Sequence, residues 1–345
     1  MAKYRIGVDT GGTFSDFVVF NEDTHEVSVT KVPSTPKTPF QAIINGVSQL
    51  VESGIQPRDI TFFSHGTTVG TNALLEGKGA KVGLLLTEGF DAINAVNQVP
   101  THGPSVYIIF CEAAPPLVLP RYCKGIRERV DFKGNALIPL DKDQAREKIR
   151  ELKAQGVESI AVSFLFSFMN PNHELEVAEL IKEEYPTCSV SLSYRILPQI
   201  REYTRTSTTV VNALLAPVMG DYLTNLESEL RHHGLDTNQL YVMQSNGGVT
   251  TFEVASKRPV PTVFSGPAGG VIAGGHLARM AGFNNVITLD MGGTSCDMAL
   301  IEEGQPIQVA QGQIGKWAIS VPMLEIKTIG AGGGTIAWEI GRAHV

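Results

Sequence analysis

A short pattern of apolar residues, acids and glycines occurs twice in this chain and constrains its fold more than any other feature. Residues 6–20 read IGVDTGGTFSDFVVF, and residues 287–301 read ITLDMGGTSCDMALI. Each copy predicts two apolar strands joined by a tight turn. A single Gly-Gly hairpin is usually only a turn, whereas a second copy with the same internal spacing indicates a duplicated unit. The identities fall at Ile6/Ile287, Asp9/Asp290, Gly11/Gly292, Gly12/Gly293, Thr13/Thr294 and Asp16/Asp297.

The residue types in the repeated turn suit a phosphate group and a metal ion. Glycines adopt φ > 0 and carry no Cβ, so their N–H groups can converge on an anion. An aspartate at a strand end, beside hydroxyl groups, suits hydrated Mg²⁺. Two such hairpins facing each other across a cleft predict a clamp on a triphosphate. The candidate catalytic and metal-binding residues are Asp9 and Asp290, and the candidate phosphate contacts are Gly11, Gly12, Thr13, Asp16, Gly292, Gly293, Thr294 and Asp297.

Composition excludes several other classes of protein. The chain has 345 residues, of which 43% are hydrophobic, 18% are charged and 35 are glycines, a profile typical of an α/β protein with enough sequence for two domains. The net charge of −7, without a run of Lys or Arg, disfavours nucleic acid as a partner. The apolar runs have strand length, which predicts no membrane span. A strand that begins near Tyr4 leaves no room for a signal peptide, so we expect a cytoplasmic protein.

A second candidate site follows the strand predicted at residues 60–64. A helix predicted at 69–76 and a buried strand at 80–86 complete a βαβ unit. The turn His65-Gly66-Thr67-Thr68 then lies at a strand-to-helix junction, where open N–H groups and the helix dipole favour an anionic or carbonyl ligand. We predict a catalytic role for His65 and ligand contacts for Thr67 and Thr68. The alternative is a histidine that only caps its loop.

Two predicted helices and a glycine string follow the domain boundary that we place near residue 196. The helix at 200–215 carries Arg201, Glu202, Arg205 and Thr208 on one face, which is typical of a solvent-exposed charged surface, with a cleft-facing role as the alternative. The helix that begins at SGPAGG contains three glycines that are costly unless another backbone packs closely on them, namely Gly270, Gly274 and Gly275. The string IGAGGGT predicts nucleotide contacts by Gly330, Gly332, Gly333 and Gly334.

Longer strings carry a family resemblance that extends from residue 6 to residue 338. They are GVDTGGTFSD, SHGTTVGTNALLE, SFLFSFMNP, REYTRTSTTVVNA, FSGPAGG, LDMGGTSCD and TIGAGGGTIAW. Together they resemble the hydantoinase A/5-oxoprolinase family, and the hairpins alone resemble the phosphate motifs of actin, sugar kinases and heat-shock ATPases. The resemblance implies an α/β fold with a duplicated actin-like ATPase core, whose mixed sheets are flanked by helices. It also implies an N-terminal domain over residues 1–196 and the start of a hydantoinase A domain over residues 197–338, with the second half incomplete.

The resemblance implies ATP and Mg²⁺ as cofactors and the activation of a poorly reactive carbonyl by phosphate transfer. The leading hypothesis is an ATP-dependent ring-opening amidohydrolase that acts on a cyclic amide and works with a hydantoinase B-like partner subunit or fused domain. The alternative enzyme is the ATP-binding subunit of an acetone- or acetophenone-type carboxylase, with a ketone substrate. A third hypothesis is a non-catalytic actin-like nucleotide switch. By analogy with sugar kinases, one of Asp9 and Asp290 holds the metal while the other orients or deprotonates an acceptor.

The chain departs from the family pattern in three places. Residues 90–120 do not follow the expected pattern, and Lys327 stands where a histidine is expected, which removes a potential metal ligand or proton carrier. The chain is also about half as long as the family leads us to expect. Residues 339–345, EIGRAHV, look like translated sequencing-adapter sequence. We therefore expect a truncated fragment with a non-native tail and little or no activity.

Overall fold

The structure is a computed structural model that describes residues 3–11, 13–35, 38–93, 115–292, 296–314 and 317–336. Its strands in the first part of the chain are β1 (Tyr4–Thr10), β2 (Phe14–Asn21), β3 (Val27–Pro33), β4 (Ile60–Thr67), β5 (Val82–Thr87), β6 (Cys123–Ile126), β7 (Arg129–Val130), β8 (Ala136–Ile138), β9 (Ser159–Ser163) and β10 (Ser189–Leu192). The later strands are β11 (Leu240–Met243), β12 (Val249–Thr251), β13 (Val286–Met291), β14 (Cys296–Glu302), β15 (Gln305–Pro306), β16 (Gln308–Val309), β17 (Gly312–Ile314), β18 (Trp317–Ile319), β19 (Met323–Leu324) and β20 (Ile326–Ile329).

Some of the helices begin and end at residues typical of a helix terminus. Asp141 caps one of them by accepting a 3.0 Å hydrogen bond from the N–H of Gln144, and Gly156 follows the end of that helix with φ of +69°. None of the helices in the described ranges is long and apolar enough to cross a membrane. They are α1 (Pro39–Glu52), α2 (Val69–Leu75), α3 (Lys142–Ala154), α4 (Asn172–Glu184), α5 (Ser193–Ile196), α6 (Glu202–His232), α7 (Phe252–Lys257) and α8 (Ser265–Met280).

A six-stranded sheet contains the first hairpin and has the order β12-β11-β4-β1-β2-β3. β1, β2 and β3 are antiparallel neighbours, whereas β4 and β11 run parallel to β1. This mixed order is that of one half of an actin-like ATPase core, and the predicted α/β architecture is confirmed. β11 and β12 come from beyond residue 197, so the sheet crosses the boundary that we predicted near residue 196. That division of the chain stays a prediction.

A second, four-stranded sheet is fully parallel, with the order β10-β9-β5-β6. α3 and α4 supply side chains to its core, among them Ile149 and Val177. The βαβ unit predicted for residues 60–86 is wrong, because β4 belongs to the six-stranded sheet and β5 to this one. Helix α2 therefore connects two sheets instead of returning the chain to one. Of the irregular segment predicted at residues 90–120, residues 94–114 lie outside the described ranges.

The second hairpin forms a third sheet in which β14 pairs with β13 on one edge and with β20 and β15 on the other. Helix α8 packs on this sheet through Ala268 and Val271, which contact a cluster with Ala299 and Ile301. The two hairpins thus occupy separate sheets. Helix α8 contacts both sheets, through β4 of the first and β13 of the third.

The 31-residue helix α6 joins the hydrophobic cores. Its first half packs on the parallel sheet through Val210 and Ala213, and its second half packs on the six-stranded sheet through Met219, Leu223 and Leu226. A helix buried by several neighbours along its length has no wide polar face. This explains why charged and hydroxyl residues near the start of α6 are buried, although the sequence predicted a solvent-exposed surface.

The charged surface predicted for the start of α6 is wrong for most of its members. Arg205 is only 1% exposed, and its guanidinium donates 2.9 Å hydrogen bonds to the carbonyl oxygens of Gln199 and Phe164. Thr208 is fully buried and donates to the carbonyl oxygen of Thr204 at 2.7 Å. Hydroxyl groups that bond to a carbonyl one turn earlier can be buried in a helix without losing a partner. Of the four predicted residues, Arg201 is exposed.

The glycines inside α8 have a different cause from the predicted backbone contact. A Cβ at Gly274 would lie 2.7 Å from Cγ2 of Thr288, and a Cβ at Gly275 would lie 2.8 Å from Cδ1 of Ile301. Both contacts are with side chains of the third sheet and not with another backbone. A Cβ at Gly270 would meet no atom within 4 Å, and nothing in the structure explains glycine there.

Candidate active site

The first candidate acid, Asp9, lies at the end of β1 between two neighbouring strands. It pairs in register with Asp16 on β2 and with Gly66 on β4. The turn that follows is closed by a 3.0 Å hydrogen bond from the N–H of Gly11 to the carbonyl oxygen of Phe14. The Gly11 N–H is therefore taken by the turn in this conformation and is not free for a phosphate. Thr13 is described and exposed, whereas Gly12 lies outside the described residues.

Two glycines from distant segments lie against the Asp9 carboxylate. A Cβ at Gly66 would be 3.1 Å from Oδ1 of Asp9, and a Cβ at Gly266 would be 3.5 Å from the same oxygen. The hydroxyl of Ser265 donates to the carbonyl oxygen of Thr67 at 3.3 Å and fixes the start of α8 beside β4. Gly266 was missed as a site residue, although the FSGPAGG string at a helix start was a usable signal.

The electrostatics of Asp9 show that the two hairpins approach each other. Partial burial raises the pKa of the Asp9 carboxyl by removing hydrating water, although part of the residue is exposed. The negative charges of Asp16 and Asp290 raise this pKa further. The charge of Asp16 is itself paired with Lys31, whose Nζ lies 3.1 Å from the Asp16 carboxylate. Asp9 and Asp290, predicted from the repeat, are therefore brought into one electrostatic environment.

The second hairpin has the same cross-strand pairing of acids, with Asp290 opposite Asp297. The hydroxyl of Thr328 on β20 donates to Asp297 at 2.5 Å. The N–H of Gly333 donates to the carbonyl oxygen of Gly292 at 3.2 Å, which brings the glycine string to the second turn. Two other candidates in this turn, Gly293 and Thr294, lie outside the described residues, as do residues 339–345.

The glycine string itself has no packing reason to be glycine at three of its positions. A Cβ at Gly330, Gly333 or Gly334 would meet no atom within 4 Å, and none of the three has a φ in the left-handed region. Neither crowding within the chain nor backbone strain accounts for these residues. Close approach of a ligand to the backbone is a remaining physical reason for glycine.

The structure separates His65 from the other candidates. The strand predicted to end at residue 64 continues through Thr67, so His65 faces the core and is fully buried. Its Nε2 lies 2.6 Å from the hydroxyl of Tyr222 on α6. Burial lowers the pKa of His65 to about 4, so the ring is neutral at physiological pH. With no exposed atom, His65 cannot contact a substrate in this conformation, and its catalytic role is a prediction that the geometry does not support.

The two threonines after His65 have contacts within the site. The hydroxyl of Thr67 is buried and accepts a 3.1 Å hydrogen bond from the N–H of Val69. The hydroxyl of Thr68 donates to the carbonyl oxygen of Thr10 at 3.4 Å. Thr10 is 5% exposed, and its own hydroxyl has no hydrogen-bond partner in the described structure. Like His65, this hydroxyl is too buried to contact a ligand in this conformation.

Comparison with known proteins agrees with the fold. The profile of the hydantoinase/oxoprolinase N-terminal region matches residues 5–185, and the hydantoinase/oxoprolinase profile matches residues 205–345. The chain is 38% identical to the caprolactamase subunit alpha of Pseudomonas jessenii, over 97% of this chain and 49% of that protein. It matches the crystal structure of ATP-dependent caprolactamase from Pseudomonas jessenii with a TM-score of 0.85 and 37% identity, covering 97% of this chain and 49% of that one.

The same architecture occurs in a nucleotide-free structure of acetone carboxylase, with a TM-score of 0.87 and 28% identity over 97% of this chain and 49% of that one. The chain spans about half the length of the curated relatives it matches first. The two profile matches cover nearly all of its residues in order. The chain therefore belongs to the hydantoinase/oxoprolinase family.

Proposed function

We propose that this chain provides ATP-binding machinery for an ATP-dependent ring-opening amidohydrolase. One observation carries the proposal: the Asp9 carboxylate lies against two glycines, Gly66 and Gly266, and within the electrostatic range of Asp290 from the second hairpin. An unbalanced group of carboxylates in an open site suits a cation and the phosphates that accompany it. The similarity to an ATP-dependent caprolactamase supports the same conclusion.

The residues present fit Mg²⁺ as the metal. Asp9 and Asp290 supply carboxylate oxygens, the ligands that this ion prefers. Partial burial is the main cause of the raised pKa of Asp9, and the negative charges of Asp16 and Asp290, which a cation would offset, add to it. Both aspartates are proposed to hold the ion. When bound, Mg²⁺ would neutralise charge that develops on the transferred phosphate oxygens.

The proposed reaction has two stages. The carbonyl oxygen of a cyclic amide attacks the γ-phosphorus of ATP, the bond from that phosphorus to the bridging oxygen of ADP breaks, and ADP leaves. Water then adds to the activated carbon, and the ring C–N bond breaks as the nitrogen takes up a proton, which leaves an acyl phosphate. A second water hydrolyses the acyl phosphate to the carboxylate and free phosphate. In both stages the chain positions reactants, which is the main source of rate enhancement in phosphoryl transfer. Gly66 and Gly266 keep the approach to Asp9 clear, and Gly330, Gly333 and Gly334 leave room for the nucleotide beside the second turn.

A partner subunit is part of the proposal. The relatives are themselves named as subunits, such as caprolactamase subunit alpha and acetophenone carboxylase gamma subunit. We propose a hydantoinase B-like partner, supplied as a separate subunit or as a fused domain. The proposed location is the cytoplasm, where ATP is abundant.

The test is ADP release in the presence of Mg²⁺-ATP and hydantoin, 5-oxoproline or ε-caprolactam. It is run on this chain with and without the partner, and on any longer protein in which this sequence occurs. Release that rises on addition of a cyclic amide supports the proposal. Release that requires a ketone and bicarbonate instead would identify a carboxylase subunit. ATP binding with no acceptor-dependent release in any form of the protein would contradict both and favour a nucleotide switch.

A further inference from the structure

A cavity of about 580 Å³ is connected through its wall to both hairpins, and none of its wall residues is among the site residues predicted from the sequence. Pro267 lines it and directly follows Gly266, the residue whose Cβ position is 3.5 Å from Asp9. Thr328 lines it as well and donates its hydroxyl to Asp297. A cavity of this volume suits a small organic molecule, and these contacts connect its wall to Asp9 of the first hairpin and to Asp297 of the second.

The cavity wall combines apolar side chains with neutral hydrogen-bonding groups. Its apolar part includes Phe264, Ile319 and Met323, and the amide side chains of Gln311 and Gln313 also line it. An aliphatic ring packs well on the apolar side chains. The N–H and C=O of an amide can pair with the two glutamines, because a glutamine side chain both donates and accepts hydrogen bonds.

The charges that line the cavity cancel each other. In the described part of the wall the ionised side chains are Glu325 and Lys327, and they form an ion pair with a nitrogen–oxygen distance of 3.2 Å. Lys327 is therefore already occupied by an anion of the protein. The Lys327 side chain is 75% exposed, so burial is not the obstacle for a ligand carboxylate. Such a carboxylate would instead have to compete with Glu325 for Lys327, and it would lie close to the negative charge of Glu325, which is unfavourable.

We infer that the acceptor substrate is an uncharged cyclic amide bound in this cavity, and that the Glu325–Lys327 pair disfavours lactams that carry a carboxylate. This inference rests on the proposed function, because it assigns the acceptor of that same reaction. Glu325 and Lys327 act as specificity-determining residues that touch the substrate region and take no part in phosphate transfer.

The test uses two ligands with the same ring, 2-pyrrolidinone and 5-oxoproline, which differ by one carboxylate. Binding of each to the 345-residue chain is measured by ligand-observed NMR at pH 7. We expect 5-oxoproline to bind about ten-fold more weakly, which corresponds to one poorly paired charge. Equal or tighter binding of 5-oxoproline would overturn the inference.

Two variants locate the effect. Glu325→Gln frees Lys327 and should strengthen 5-oxoproline binding about three-fold, the scale of a partly exposed ion pair, without changing the binding of 2-pyrrolidinone. The matched control is Glu253→Gln, which breaks a similar exposed pair with Lys257 on α7, outside the cavity, and should change neither ligand. Ala318→Leu narrows the cavity and should weaken 2-pyrrolidinone binding, with folding checked by the unfolding temperature.

The outcomes separate this inference from the proposed function. If Glu325→Gln leaves 5-oxoproline binding unchanged, or Ala318→Leu leaves 2-pyrrolidinone binding unchanged, the cavity assignment is wrong while an ATP-dependent amidohydrolase remains supported by ADP release. If neither lactam binds and no cyclic amide raises ADP release, both fail. Preferential binding of the neutral lactam together with the variant effects supports both.

Discussion

The two copies of the repeated hairpin form the same three-stranded unit but have different surroundings. In each copy the acids pair across the hairpin, Asp9 with Asp16 and Asp290 with Asp297. A third strand runs antiparallel to the second strand of each hairpin, β3 beside β2 and β20 beside β14. The structural similarity of the two copies therefore extends beyond the repeated sequence, because β3 and β20 both lie outside it.

The difference lies on the other edge of each hairpin. β1 also pairs with β4, and its side chains Ile6 and Val8 are 0% and 4% exposed. The corresponding strand β13 pairs, in the described part of the chain, with β14 alone, and its Ile287 and Leu289 are 67% and 60% exposed. The same pattern of apolar residues is thus core in one copy and surface in the other. Burial is decided by the strands and helices that neighbour a hairpin, and the local sequence decides only the hairpin.

The largest expected effect tests whether the acids of the two hairpins are equivalent in spite of these surroundings. Asp9→Ala and Asp290→Ala should each lower cyclic-amide-dependent ADP release by about 10²–10³-fold or more, because each removes a charge proposed to hold the metal. The measurement is the steady-state rate of a longer protein in which this sequence occurs, with its partner present and at saturating Mg²⁺-ATP. Circular dichroism verifies the fold. Asp23→Ala, in the exposed turn after β2, is the matched control and should keep the wild-type rate. A wild-type rate in either site variant would refute the assignment of that acid.

The next prediction compares how much a buried and an exposed isoleucine, at corresponding positions of the two hairpins, contribute to the stability of the protein. Ile6→Ala should lower the free energy of unfolding by about 3 kcal/mol, because it leaves a cavity in a closed core. Ile287→Ala occupies the corresponding position and should change it by about 0.5 kcal/mol or less, because the side chain is already exposed. Urea unfolding followed by circular dichroism measures both. Similar losses in the two variants would show that the outer face of β13 is covered in solution.

The sequence predicted the hairpins and most helices because those features depend on local patterns. Asp9 and Asp290 were found because strand, turn and acid recur with the same spacing, and helices such as α3 have their own capping residues. Some strand ends were wrong by a few residues. The prediction for β4 was too short because the strand continues through polar residues to Thr67.

The misassigned residues depend on contacts between distant segments. His65 has the appearance of a ligand at a strand end, and its partner Tyr222 is 157 residues away. Arg205 has the appearance of a surface charge, and one of the carbonyl groups that accept its hydrogen bonds, on Phe164, lies 41 residues away. A polar residue in a single sequence looks the same whether it is solvated or buried with partners.

The buried His65 provides a third difference between the two hairpins. It lies on β4, which pairs with β1 of the first hairpin, and β13 of the second hairpin has no corresponding partner strand among the described residues. Its pKa is lowered from 6.5 to about 4 by burial. Between these two values the unfolded chain binds more protons than the folded one, so this contribution to stability is complete above pH 6.5 and is lost as the pH falls towards 4. The expected loss is about 3 kcal/mol.

The comparison of variants isolates that contribution from other titrating groups. The free energy of unfolding is measured at intervals from pH 7 to pH 4 for the wild type, for His65→Gln, and for His276→Gln at an exposed position on α8. His65→Gln should flatten the fall in stability relative to the wild type, and His276→Gln should leave it unchanged. The same slope in all three proteins would show that His65 is already solvated in the folded state.

The smallest effects concern the support of the second hairpin by α8. Gly270→Ala places a methyl group where no atom lies within 4 Å, and it should stabilise the protein by about 0.5–1 kcal/mol through helix propensity. Gly274→Ala gains the same propensity, but its Cβ would lie 2.7 Å from Thr288 on β13, so we expect a net loss of about 1 kcal/mol. The double variant Gly274→Ala/Thr288→Ser removes Cγ2 of Thr288 and should restore most of that loss in urea unfolding. β13 has α8 on one face and exposed apolar residues on the other. If the double variant does not recover the lost stability, α8 does not pack on β13 through Thr288. The contrast between a buried first hairpin and a half-covered second hairpin would then need another explanation.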